Sequence, residues 1–148
     1  MTSRLLHETG GLRTFAVVLD KGEEAVAELL AFAREQGVTG AGLTAVGACR
    51  EATLGYFDRD TMSYLDIPVD EQVEVLSLIG DIAVSDGDPA LHAHAVLGRR
   101  DGSTVGGHVQ SAVVWPTLEV IVTESPAHLS KRVDEETGLA LIALDETG

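Results

Sequence analysis

Residues Leu91 to Gln110 read L-H-A-H-A-V-L-G-R-R-D-G-S-T-V-G-G-H-V-Q and hold three of the chain's five histidines. On a strand, successive side chains alternate faces, so His92 and His94 point to the same side. Arg100-Asp101-Gly102 has the composition of a three-residue hairpin loop, with Gly102 at the left-handed position of a bulge. Such a loop sets His94 opposite His108 and His92 opposite Gln110. A two-residue Asp101-Gly102 turn would instead shift the register by one and send His108 to the other face. With the odd loop, three imidazoles converge on one patch of sheet.

Neutral imidazole is a common ligand for zinc and its neighbours, and three protein ligands leave a further position for water or substrate. Hard cations such as calcium prefer oxygen, so an all-imidazole set points to a transition metal. Gly106 and Gly107 remove side-chain bulk beside His108, where a ligand could approach the backbone. Asp88, Glu119 and Glu74 are the carboxylates weighed for completing or orienting such a site. Spacing alone also allows a plain alternative, an exposed histidine cluster bonded to carboxylates and water.

Outward from this hairpin the chain reads mostly as strand. R-T-F-A-V-V-L precedes the most helical segment, while G-L-T-A-V-G-A-C and E-A-T-L-G-Y-F follow it. Later come V-E-V-L-S-L-I-G-D-I-A-V, T-L-E-V-I-V-T and L-A-L-I-A-L. These short runs, rich in Val, Ile and Leu and bounded by Gly, Asp or Pro, predict a mainly antiparallel sheet. The helix runs from Glu23 to Gln36, with Val26, Leu29, Leu30 and Ala33 on one face and Gly37 as its stop. One covering helix among many strands gives an α+β class, not a doubly wound one. Neither G-x-G-x-x-G nor G-x-x-x-x-G-K-[ST] occurs, so nucleotide chemistry on those loops is not expected.

Other residues carry less. His7 and His128 stand alone and read as surface imidazoles. Cys49, the one cysteine, reads as a buried inert thiol, and no disulfide within the chain is expected. Ser111 and Ser125 lack a G-x-S-x-G setting. Trp115-Pro116 reads as a strand end or an interface contact. No Gly/Ser linker, like-charge block or internal repeat divides residues 1–148, so a single domain is expected. No apolar run is long enough for a membrane span or a signal peptide, which makes a cytoplasmic setting the default expectation.

Acidic residues number 24 and basic ones 10, for a formal net charge of −14. That balance opposes contact with a phosphate backbone or an anionic membrane. Only Arg99-Arg100 and Lys131-Arg132 are adjacent basic pairs, and both lie near acids.

The order of segments resembles the PPC domain, the family found in plants and prokaryotes. The resembling stretches are K-G-E-E-A-V-A-E-L-L-A-F-A-R-E-Q-G-V, G-L-T-A-V-G-A-C-R-E-A-T-L-G-Y-F-D, V-E-V-L-S-L-I-G-D-I-A and H-A-H-A-V-L-G-R-R-D-G-S-T-V-G-G-H. R-V-D-E-E-T-G-L-A-L-I-A-L is similar to the family's ending. The resemblance implies a free-standing prokaryotic member: a helix-covered sheet that assembles as a homotrimer. It also implies a divalent metal, zinc first, at His92, His94 and His108, serving small-ligand binding or metal-assisted chemistry. Plant members carry an AT-hook before the domain, and this chain has none. The alternative it implies is a DNA-associated regulatory module, which the charge disfavours. Whether the chain is an enzyme is left open.

Overall fold

Glu24 starts the helix. Its carboxylate accepts from the backbone N–H groups of Val26 and Ala27, which no helical carbonyl can reach. Gly37 ends it at φ 64°, donating back to Ala33 and Arg34. The computed structural model describes residues 1–125 and 129–144, so His128 lies outside them. In chain order the elements are β1 (Thr2–Thr9), β2 (Leu12–Asp20), α1 (Ala25–Gln36), β3 (Gly40–Asp58) and β4 (Ser63–Val69). They continue with β5 (Val73–Ser85), β6 (Asp88–Gly98), β7 (Thr104–Glu124), β8 (Ser130–Val133) and β9 (Ala140–Ala143).

The helix begins two residues later than predicted because Glu23 is otherwise engaged, accepting from the Met1 amino group and the Asp20 N–H. Its covered face is also rotated from the predicted one. Ala25, Leu29, Phe32 and Ala33 are buried, while Val26 and Leu30 flank them half-buried. Phe32 meets the Phe15 ring edge-on at 5.2 Å, joining helix to sheet. Around that contact lie Val17 and Leu19 of β2, Leu43 of β3, and Leu118, Val120 and Val122 of β7, all buried.

Pairing is antiparallel throughout except for one parallel bridge, Val84 to Ser130. The α+β expectation, a mainly antiparallel sheet with one helix, therefore holds for the described residues. Strands β3, β5, β6 and β7 pair in a closed ring: β3 with β5, β5 with β6, β6 with β7, and β7 with β3. Beyond the ring, β2 adds to β7 and carries β1 at its outer side, while β4 pairs with the far half of β3.

Two long strands make this closure possible. The predicted strands at G-L-T-A-V-G-A-C and E-A-T-L-G-Y-F are one bent strand, β3, with register shifts around Gly47, Cys49 and Thr53. At Gly47, φ is 153° and a Cβ would lie 2.3 Å from the Thr117 carbonyl oxygen, so only glycine fits the bend. Strand β7 likewise runs through Trp115-Pro116, a cis peptide, instead of ending there. Pro116 is tolerated because the ladder to β3 skips from Val114 to Leu118 at the shift. Cys49 is buried and free, as predicted, and burial pushes its thiol up to about 11. No helix among the described residues is long and apolar enough to cross a membrane.

Candidate metal centre

The β6–β7 hairpin adopts the three-residue loop. Gly102 sits at φ 84° and donates to the Arg99 carbonyl, and the Arg99 N–H closes the loop on Ser103. The Asp101 carboxylate accepts from the Ser103 N–H and hydroxyl, which braces the turn. Gly98 then pairs with Thr104 and His94 with His108, the predicted register. The β6–β7 ladder stops at that pair, so His92 reaches the patch as the next same-side residue along β6, without Gln110 as a ladder partner.

His92, His94 and His108 each offer a nitrogen, and the three atoms lie within 4.8 Å of one another. Ring centroids are 5.2 Å apart for His92 and His94, and 5.4 Å from each of them to His108. The Nε2 atoms of His92 and His94 face each other at 3.2 Å. Nδ1 of His108 is buried and has no protein partner, a costly state for a polar atom that a bound ion or water would relieve.

The electrostatics favour the ligating form. Burial, with His92 nearby, holds His94 below its ordinary imidazole value. His108 is held below it too, first by burial and then by its two histidine neighbours and Lys131. A neutral imidazole keeps the lone pair that a metal needs. The donor set and the unsatisfied nitrogen therefore fit a divalent transition metal.

Several residues around the centre escape simple sequence reading. Tyr64, on β4, stacks on His108 at 4.9 Å and 29°. It can do so because Gly55 beneath it has no Cβ, which would lie 2.7 Å from the tyrosine ring. Asp81, on β5, pairs across the ladder with His92, its Oδ2 3.4 Å from His92 Nδ1. A signal for Asp81 was present: Asp86-Gly87 is a two-residue turn, with φ of 51° and 89°, that sets Ser85 against Asp88 and hence Asp81 against His92.

The carboxylates considered from sequence lie elsewhere. Asp88 sits at that turn, 3.8 Å from Arg34, and Glu74 pairs with Gly98 at the other end of the ladder. Glu119 faces Val46 and Val18 on β7. Gly106 and Gly107 have a packing role instead of opening the backbone to a ligand. A Cβ on Gly107 would meet the Gly55 carbonyl oxygen at 2.8 Å, and one on Gly106 the Ala95 carbonyl oxygen at 3.2 Å.

Beside His92 and His94 opens a cleft of about 560 Å³, lined by Gly42, Thr44, Ile79, Asp81, Ile121 and Thr123 among others. Its floor is the sheet row Ile121–Thr44–Ile79–His94, in cross-strand register from β7 through β3 and β5 to β6. Ile79 and Ile121 are 59% and 42% exposed there.

Comparison with known proteins agrees with this architecture. A plant- and prokaryote-conserved protein from Pyrococcus horikoshii superposes with a TM-score of 0.84 at 29% identity, covering 93% of this chain and 98% of its own. A metal-containing protein from Archaeoglobus fulgidus is 35% identical, with a TM-score of 0.83 and coverage of 95% of this chain and 99% of its own. The bifunctional protein GlmU of Synechococcus sp. (strain JA-3-3Ab) is 34% identical over 133 residues, 88% of this chain. The chain spans only a fifth of the length of that GlmU, 20%. The model of the Plants and Prokaryotes Conserved domain matches residues 6–126, well over half of the sequence, and the chain belongs to that family, the PCC or PPC domain proteins.

Proposed function

We propose that the protein is a homotrimer whose His92, His94 and His108 bind one divalent metal per subunit, zinc before others, for small-ligand binding or metal-assisted chemistry. The observation that carries this is the convergence of three imidazole nitrogens within 4.8 Å, one ring of which has a buried unpartnered nitrogen. The Archaeoglobus fulgidus relative, described as metal-containing, supports it. A bound divalent metal supplies Lewis acidity or an activated water. Around it the chain's own groups hold His94 and His108 below the ordinary imidazole value, wall His108 with Tyr64, and offer Ile79, Ile121 and the Thr44 and Thr123 hydroxyls to a ligand in the cleft. Elemental analysis of protein purified without a polyhistidine tag tests the metal: about one zinc per subunit is expected, and none refutes the reading. Turnover of a candidate ligand that stops on chelation and returns with metal makes the protein an enzyme, while binding without turnover makes it a sensor.

The trimer is supported by apolar side chains outside the cleft that the single helix leaves uncovered on the sheet, Val46, Leu76 and Val96. A monomer mass by light scattering at micromolar concentration refutes it. The DNA-associated alternative meets a net charge of −14 and cations already spoken for. Arg13, Arg34, Arg50, Arg59, Arg99 and Lys131 each lie within ion-pair distance of a carboxylate. Duplex binding at physiological salt is therefore expected to be negligible, and submicromolar anisotropy binding would overturn that.

A further inference from the structure

A buried lysine reaches the histidine patch from outside the β6–β7 hairpin. Lys131, on β8, is the one polar or charged residue buried among the described residues, its side chain 2% exposed. An ammonium group taken out of water needs a charged partner. Lys131 has one: its Nζ lies 2.8 Å from Asp81 Oδ1. The other carboxylate oxygen, Oδ2, faces His92 Nδ1 at 3.4 Å. On the far side of the same ring, His92 Nε2 faces His94 Nε2 at 3.2 Å.

The chain of contacts therefore has a direction. The lysine ammonium 2.8 Å from Oδ1, an ion pair without hydrogen-bond geometry, holds that oxygen of the Asp81 carboxylate toward itself and leaves the second oxygen for His92. A carboxylate accepts and does not donate, so the proton of a neutral His92 belongs on Nδ1 and the lone pair on Nε2, the nitrogen that faces His94. The backbone supports this arrangement, because Asp81 and His92 are direct cross-strand partners on β5 and β6. Lys131 is delivered by β8, which joins β5 through the Val84–Ser130 bridge and the bond from the Val84 N–H to the Leu129 carbonyl.

We infer that Asp81 and Lys131 are positioning residues of the three-histidine centre: Lys131 fixes the Asp81 carboxylate, and Asp81 fixes the tautomer and orientation of His92 that direct Nε2 to the shared point. The inference deepens the reading of His92, His94 and His108 as metal ligands and rests on it. Partners of this kind behind a ligating histidine typically contribute about 10–100-fold to metal affinity.

The test uses zinc alone as the probe, on tag-free full-length protein, in competition with a chromophoric chelator. Asp81→Ala and the double variant Asp81→Ala/Lys131→Met are compared with wild type and His94→Ala. Nitrogen NMR of the imidazoles in metal-free protein reads the tautomers. The double variant removes the buried ion pair whole, so it remains informative should Asp81→Ala alone, with an unpaired buried lysine, fail to fold. Expected are a loss of zinc affinity of about 10–100-fold in the Asp81 variants and a His92 that changes from the Nδ1–H tautomer to a mixture. A merely structural role for Asp81 would not move that tautomer signal. Zinc affinity in the double variant within about threefold of wild type, below the range for such partners, overturns the inference, as does an unchanged His92 tautomer. The metal reading fails separately, through a wild type that binds no zinc or a His94→Ala that binds as well as wild type. In that event the tautomer readout still decides whether Asp81 controls His92.

Discussion

Gly80→Ala and Gly42→Ala form a matched pair that isolates one close contact under the centre. Both glycines lie inside strands in the same sheet, Gly80 next to Asp81 on β5 and Gly42 paired with Asp81 on β3. Neither has a positive φ, so both substitutions share the modest gain from a less flexible unfolded chain, about 0.4–1 kcal/mol. Their surroundings differ. A Cβ at Gly42 meets nothing within 4 Å, whereas one at Gly80 lies 2.3 Å from the His92 carbonyl oxygen and 2.9 Å from Ala93 Cα. Both of those neighbours are backbone and cannot rotate away. Reaching even a tight contact of 3.0 Å requires β5 and β6 to part by about 0.7 Å there. Overpacking of this kind costs about 1–3 kcal/mol, and a clash with backbone belongs at the upper end. Gly80→Ala is expected to be less stable than Gly42→Ala by about 2–3 kcal/mol in urea unfolding of metal-free protein, with unchanged slope. The displaced atom belongs to His92, so zinc affinity is expected to fall in Gly80→Ala and not in Gly42→Ala. Midpoints that convert to within about 0.5 kcal/mol of each other would refute the reasoning.

Three further outcomes follow from the same structure. His94→Ala is expected to lower zinc content sharply, whereas His7→Ala, exposed on β1, leaves it unchanged; elemental analysis of both variants checks this. Glu124 accepts two bonds from the Arg13 guanidinium, which hold its carboxyl below the ordinary 4.5. The unfolded chain therefore binds this proton first as pH falls, so the pair's stabilisation is whole above about 4.5 and is lost on acidification below it. Glu124→Gln should flatten that acid limb, and an unchanged limb in pH-dependent unfolding would count against the pair. Phe32→Ala is expected to cost about 3–5 kcal/mol by chemical denaturation, and Leu30→Ala less than half of that, since Phe32 is fully buried and Leu30 is not.

The parts of this fold that could be read from the chain are those where local chemistry and long-range pairing agree. Arg100-Asp101-Gly102 demands a left-handed glycine, and that single requirement sets the register that joins His94 to His108. The same logic at Asp86-Gly87 would have placed Asp81 against His92, yet an acid in an apolar run draws less notice than a histidine cluster. Strand β1 could not be read, because all eight of its residues are exposed and no alternation marks it. Strand β4 is the short return of a hairpin with β3, and β8 has four residues and joins β5 through a single bridge distant in sequence, Val84 to Ser130. Of the predicted helix face, Leu29 and Ala33 are buried, while Ala25 and Phe32 take the places expected for Val26 and Leu30, since a period of 3.6 serves either set. The Phe15 ring on β2 decides between them. Gly106 and Gly107 were open to two readings, and only the carbonyl groups of neighbouring strands show which applies.

All three imidazoles come from one hairpin, within 17 consecutive residues. A denatured chain therefore keeps them tethered by a short loop, and closing that loop costs little more than closing a turn. Zinc offered to the unfolded polypeptide finds much of its donor set already gathered. Ligands raise the melting point of a fold only through affinity that the denatured ensemble lacks. On the three-histidine reading, the ion's hold on the native protein is therefore expected to exceed the thermal protection it confers. The surplus is expected to appear early in refolding, with zinc fastening β6 to β7 before the closed ring of strands is complete.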